Sequence, residues 1–180
     1  MLENARRKAR AGIELAAGEG LVLGVDTEVV LDGRVLGKAR DATEARERLE
    51  ALSGRTHEVL SGVVLIARSD TPSVESALPG SAKSTLDADA SPSAPDARIR
   101  ERAGVARSLV IFRELSPGLL AGYLRSGEWR DRAGAYAVQG LGSALVERVE
   151  GDLANVIGLP LSLLLELAPE LLDAAGDSAS

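Results

Sequence analysis

A chain of 180 residues, 45% of them apolar, is long enough for one ordinary domain or two small lobes with a normal core. Only 2% are aromatic, so that core must come from Leu, Val, Ile and Ala, with Phe112, Tyr123, Trp129 and Tyr136 as isolated large fillers. The lack of cysteine excludes disulfide frameworks and thiolate metal sites, and a formal charge of −6 opposes a broad grip on a nucleic acid polymer or an anionic membrane.

In chain order, residues 2–17 carry Ala and Leu with Arg and Lys at helical spacing until Gly18 and Gly20 stop the pattern, which predicts an opening helix. Its start, Met1-Leu2-Glu3-Asn4-Ala5-Arg6-Arg7-Lys8, is basic but lacks the apolar stretch of a signal peptide. The apolar runs farther on, such as Leu163 to Leu165, are cut by Glu166 and Pro169 well short of the ~20 residues of a membrane span. A cytoplasmic protein is expected. Leu21 to Leu31 reads as a strand, Asp32-Gly33 as a hairpin turn, and Val35-Leu36 as the return. Asp41 with Glu44 three residues on has the form of a capping box, and Ala45, Leu49 and Leu52 give the helix of residues 41–52 an apolar face before Ser53-Gly54. Thr56 to Ala67 reads as another strand.

Residues 68–104 break this alternation with stretches such as Asp89-Ala90-Ser91-Pro92-Ser93-Ala94-Pro95-Asp96, which predicts a flexible insertion. A strand resumes over Val105 to Glu114, and Ser116-Pro117 starts a helix over Gly118 to Arg125. Ala135 to Val138 and Ser143 to Glu150 read as strands, and Pro160 opens an apolar helix ending near Ala175, followed by a tail over 176–180. The organisation expected is therefore 1–67 and 105–175 as two parts of one domain, interrupted by 68–104.

Several blocks resemble the Maf family. Gly24-Val25-Asp26-Thr27-Glu28-Val29 through Asp32-Gly33 to Gly37-Lys38 is similar to that family's A-D-T-x-V strand, hairpin, glycine and lysine. Leu52-Ser53-Gly54-Arg55-Thr56-His57-Glu58-Val59 resembles its L-S-G-R-x-H-x-V segment. Phe112-Arg113-Glu114-Leu115, Ala133-Gly134-Ala135-Tyr136-Ala137-Val138-Gln139-Gly140, and Glu150-Gly151-Asp152 with Asn155-Val156-Ile157-Gly158-Leu159-Pro160 follow in family order. The resemblance implies an α/β fold with a mixed, twisted sheet flanked by helices and a cleft between two lobes, as in Maf and inosine triphosphate pyrophosphatase folds. It implies hydrolysis of a nucleoside triphosphate to the monophosphate and pyrophosphate with Mg²⁺ or Mn²⁺. The Arg55-Thr56-His57 block and the Gln139 region look more like the dTTP and UTP branch than the branch acting on methylated GTP. Two departures stand out: Ala39 occupies a position where the family has proline, and the family's opening strand, S-x-S-P-R-R loop and metal-site glutamate have no counterpart in this sequence. That second departure predicts weak activity and association, a homodimer being the simplest associated state.

Such hydrolysis needs a divalent ion to neutralise phosphate charge, a carboxylate to hold it or orient water, and cations to clamp the phosphate chain. Asp26 interrupts an apolar strand, so it must lie at a strand end or face a polar cleft. On its own it would be a turn aspartate; the resemblance makes it the catalytic and metal-binding carboxylate. Lys8 in Asn4-Ala5-Arg6-Arg7-Lys8-Ala9, Lys38, Arg55, Thr56 and Gln139 take substrate-binding roles by the same resemblance, where each alone would be a solvated or turn residue. His57, the sole histidine, cannot build a multi-histidine metal site and is expected to make structural hydrogen bonds. Gly140-Leu141-Gly142 lacks the later glycine of a dinucleotide fingerprint and reads as a turn. Trp129 could stack on a base, though core packing is the commoner use. The rival reading is a non-catalytic nucleotide-binding or division-associated protein on the same scaffold.

Overall fold

Helix α1 (Leu2–Leu15) lies on a five-stranded sheet in the computed structural model, which describes residues 1–16, 18–68 and 99–172. β1 (Gly20–Leu31) turns at Asp32-Gly33 into β2 (Arg34–Leu36). Both turn residues have positive φ, 51° and 74°, the pairing a tight hairpin needs and the reason glycine stands second. Helix α2 (Ala42–Leu52) starts where the Asp41 carboxylate accepts the Glu44 N–H at 2.9 Å, as the sequence predicts. β3 (Thr56–Arg68) and β4 (Ile99–Phe112) form the long central pair, and α3 (Pro117–Ser126) begins with the Ser116 hydroxyl accepting the Leu119 N–H. A 3₁₀ segment, Gly140–Leu145, leads into β5 (Val146–Glu150), followed by α4 (Leu153–Ile157) and α5 (Leu161–Leu167).

The strand order is β2-β1-β3-β4-β5, and every pairing is antiparallel. The α/β class holds, but among the described residues the sheet is not mixed. β1 turns directly into β2, and none of the four strand pairs runs parallel. Side-chain alternation separates the two faces. Val64 and Ile66 pack under Ala5, Ala9 and Ile13 of α1. On the opposite face Val29, Val59 and Val110 join Leu49 and Leu52 of α2 and Leu120 and Tyr123 of α3, while Leu65 meets Leu164 of α5.

Four expectations are corrected. β4 begins at Ile99, opposite Arg68, rather than at Val105. Ala135 to Val138 is not a strand: Gly134 and Ala135 take φ of 67° and 60°, which breaks the extended chain and leaves only an isolated bridge between Lys38 and Ala133. Residues 143–145 are 3₁₀ rather than strand, and α5 ends at Leu167, where Ala168 leaves helical geometry (φ −143°, ψ 69°) before Pro169. Of the expected insertion over 68–104, Arg68 belongs to β3 and 99–104 to β4, while residues 69–98, like the tail over 176–180, lie outside the described residues. Among those described, no helix is long and apolar enough to cross a membrane.

Candidate active site

β2 pairs only with Val29 to Leu31, so the middle of β1 leaves the hairpin before Asp26. A cleft of about 300 Å³ opens there. Its lining includes Lys8, Asp26, Thr27, Lys38, Tyr136 and Gln139. Asp26 is therefore in mid-strand, not at a strand end, and it faces a polar cleft as its sequence context requires. Its side chain is 18% exposed. Lys8 Nζ donates to Asp26 Oδ1 at 2.7 Å and to the Val25 carbonyl at 2.9 Å, and Asn4 Nδ2 donates to Asp26 Oδ2 at 3.1 Å. Asn4 and Lys8 are one helical turn apart, so a single face of α1 supplies both donors. Burial pushes the Asp26 carboxyl up, but the hydrogen bonds from Lys8 and Asn4 and the Lys8 charge outweigh it and leave the group below its ordinary value. It is a carboxylate at neutral pH.

The opposite lip is residues 131–139. The Gly134 N–H donates to the Leu36 and Gly37 carbonyls at 2.8 and 3.1 Å, and the Ala137 N–H to Tyr123 Oη at 3.1 Å. Arg48 donates to the same Gly37 carbonyl and to Glu44, which steadies the loop before Lys38. Lys38 Nζ lies 3.8 Å from the exposed Asp131 carboxylate, a loose pair of little intrinsic worth. The third wall is the end of α4, residues Val156 to Gly158. It is anchored by fully buried Asn155, whose Nδ2 donates to the Val59 carbonyl and to Ser108 Oγ, each at 3.0 Å.

Asp26, Lys8, Lys38 and Gln139 thus meet in one cleft, as their sequence blocks imply. Arg55 and Thr56 do not line it. Arg55 Nη2 instead holds both Asp32 oxygens, at 2.8 and 2.7 Å, beside the hairpin turn, so the helix-to-strand junction opens toward that turn and not toward Asp26. Trp129 is core, with Nε1 donating to the Leu124 carbonyl at 3.1 Å. Asn4, Thr27, Arg132 and Tyr136 are lining or supporting residues that the sequence reading does not single out, although each stands inside or beside a block it quotes. Thr27 Oγ1 is 2.8 Å from Ser61 Oγ on the neighbouring strand.

The family model for the Maf-like protein matches residues 1–171. The chain belongs to the Maf family. A "dTTP/UTP pyrophosphatase" of Anaeromyxobacter sp. strain Fw109-5 is 44% identical over 167 residues, 93% of this chain and 67% of that protein. Proteins of the same name from Pyrococcus furiosus and Pyrococcus horikoshii are 38% and 37% identical over 146 and 166 residues. Those alignments cover 81% and 92% of this chain, and 61% and 73% of the respective relatives. The chain spans about two thirds of the length of the curated relatives it matches.

The Maf resemblance brings a divalent ion into question, and the cleft answers it in chemical terms. Among the described residues no group of three or more His, Cys, Asp or Glu could cage a metal. Mg²⁺ commonly needs only one or two carboxylates, with substrate phosphates and water completing its shell. Asp26 fits as one such ligand, since each of its oxygens keeps a lone pair beyond the hydrogen bond it accepts.

Proposed function

We propose that this Maf-family chain hydrolyses a nucleoside triphosphate, with dTTP and UTP as substrates, to the monophosphate and pyrophosphate. The observation that carries this is the Asp26 carboxylate held by Lys8 and Asn4 in a cleft whose other lip presents Lys38 and Gln139. The names of the relatives support the choice of base and the hydrolytic outcome over the non-catalytic alternative. A nucleotide-pool enzyme of this kind acts in the cytoplasm.

The water oxygen bonds to the α-phosphorus, the bond to the α–β bridging oxygen breaks, and pyrophosphate leaves. Asp26, ionised and on the cleft wall, orients that water and takes its proton for release to solvent. A carboxyl held below its ordinary value is a weak base. Asp26 would hold Mg²⁺ or Mn²⁺, which would supply neutralisation of phosphate charge. Lys38 clamps the phosphate chain and Gln139 offers an amide to the nucleotide.

Pyrophosphate release from dTTP, UTP and ATP, with Mg²⁺ and with EDTA, tests the reading. Turnover should favour dTTP and UTP and stop in EDTA; equal turnover in EDTA rejects the metal requirement, and no release from any nucleotide rejects the hydrolase. Asp26→Asn should lower turnover by at least about a hundredfold, the range for one positioned acid–base group. Its thermal midpoint should stay level or rise. Asn variants that unfold while keeping residual turnover would make Asp26 structural.

A further inference from the structure

The cleft that holds Asp26 and a neighbouring cavity of about 390 Å³ share three lining residues, Arg132, Ala137 and Gln139. Arg132 is exposed at that junction, and among the described residues it has no hydrogen bond or ion pair through its side chain. In this it differs from Arg55 and Arg107, whose guanidinium groups hold Asp32 and Glu58. It also differs from the two cleft lysines, since Lys8 and Lys38 face carboxylates at 2.7 and 3.8 Å.

The backbone that carries Arg132 is fixed on both sides. Asp131 and Ala135 take left-handed φ of 58° and 60° without being glycine, a conformation that persists only where the surroundings over-determine it. The Ala135 N–H donates to the Arg132 carbonyl at 3.1 Å, and the bridge between Ala133 and Lys38 places Arg132 next to the chain that bears the second lysine. A cation with no ion pair among the described residues is thus held on a strained, tied turn beside Lys38, on the lining of the cleft.

We propose that Arg132 is a further substrate-binding residue, its guanidinium gripping the phosphate chain of the bound nucleotide alongside Lys38. The planar fork gives a phosphate two parallel donors, which an ammonium cannot. The identity of the ligand rests on the hydrolase reading above; the phosphate grip rests on the geometry.

Wild type, Arg132→Met and Arg132→Lys are to be compared for dTTP kinetics with Mg²⁺ and for binding of inorganic tripolyphosphate and of thymidine. In Arg132→Met the KM for dTTP should rise, and tripolyphosphate binding weaken, by at least about tenfold, the loss expected for one charge-assisted contact. Thymidine binding, kcat and the thermal midpoint should hold, and Arg132→Lys should recover part of the loss. Unchanged KM and tripolyphosphate binding overturn the proposal, as does an equal loss for thymidine, which has no phosphate. Should wild type bind tripolyphosphate through Arg132 yet release no pyrophosphate from dTTP, the hydrolase reading fails and the phosphate grip stands. Should it turn over dTTP with Arg132→Met indifferent, the reverse holds.

Discussion

His57 is 2% exposed between Phe112 and Tyr136, whose rings meet it edge to face at centroid distances of 5.1 and 5.4 Å. Its Nε2 lies 2.8 Å from Tyr136 Oη, and its Nδ1 is buried without a partner among the described residues. The structural hydrogen-bonding role expected from sequence is the one it has: it braces the tyrosine that lines the cleft. Burial lowers its pKa from 6.5 to about 4, so the ring is neutral in the folded chain at neutral pH. Below 6.5 the unfolded chain takes up a proton that the folded chain refuses. Stability from this group is therefore complete above 6.5 and falls as the pH drops toward 4, by about 2 kcal/mol at pH 5. Because no second histidine exists, the slope can be isolated. Denaturant unfolding of His57→Gln, which keeps an N–H for Tyr136, should show lower stability than wild type at pH 7 but a smaller loss between pH 7 and pH 5. Equal losses in the two proteins would mean that His57 is solvated enough to charge in the folded state.

Helix α1 rests directly on the backbone of β1. A Cβ placed on Gly24 would stand 2.1 Å from the Ala5 carbonyl oxygen and 2.7 Å from the Ala9 nitrogen, so only glycine permits this seat. Asp26 follows two residues along the same face of the strand, which is how Asn4 and Lys8 reach it. Gly24→Ala must lift the helix. We expect a loss of about 1–3 kcal/mol, the usual cost of overpacking, together with lost dTTP turnover as Lys8 and Asp26 separate. Gly20→Ala, on the same strand with nothing within 4 Å of the added Cβ, is the matched control and should be close to neutral. An unchanged thermal midpoint in Gly24→Ala would contradict the seat. The same elements show what was legible in the sequence. The hairpin at Asp32-Gly33 and the cap at Asp41 are decided by neighbouring residues, so they could be read locally. The pairing of Lys8 with Asp26 spans 18 residues and depends on a bare glycine between layers; only the family resemblance placed both at one site. Ala135 to Val138 misled because its apolar content resembles a strand, whereas the Leu36 and Gly37 carbonyls, far off in sequence, set it as a turn. Arg55 and Thr56 stand inside a family block, yet membership of that block does not place them on the cleft lining, which long-range pairing decides. Helix α4 was unread because five residues carry little periodicity, and its place comes from Asn155 bonding Val59 across 96 positions.

At the scale of the molecule, chemistry and chain connection occupy different places. The cleft draws its lining from residues between Lys8 and Val59 and between Asp131 and Gly158. The far end of the sheet is tied to helices on both faces, with Arg68 donating to the Ala16 carbonyl at 3.0 Å and Arg102 to the Leu167 carbonyl at 2.6 Å. β3 and β4 stay in register from Thr56 opposite Ile111 to Arg68 opposite Ile99. Because Arg68 and Ile99 face each other directly, the two strands could be joined by a two-residue turn. Residues 69–98 are rich in Ser, Pro, Asp and Ala and poor in the large apolar residues that build cores. Replacing 69–98 by Asn-Gly should therefore leave dTTP turnover near wild type. Closing so much shorter a loop should hold or raise the unfolding midpoint, by an entropy term on the order of 1–2 kcal/mol. The cut has to stop at residue 98, since Ile99 to Glu101 pair with Arg68, Ala67 and Ile66 and a longer deletion would shorten the central ladder. Cooperative unfolding with turnover lost would show that 69–98 reaches the cleft, and loss of the cooperative transition would show that it packs on the sheet; either result would refute the separation of connection from chemistry.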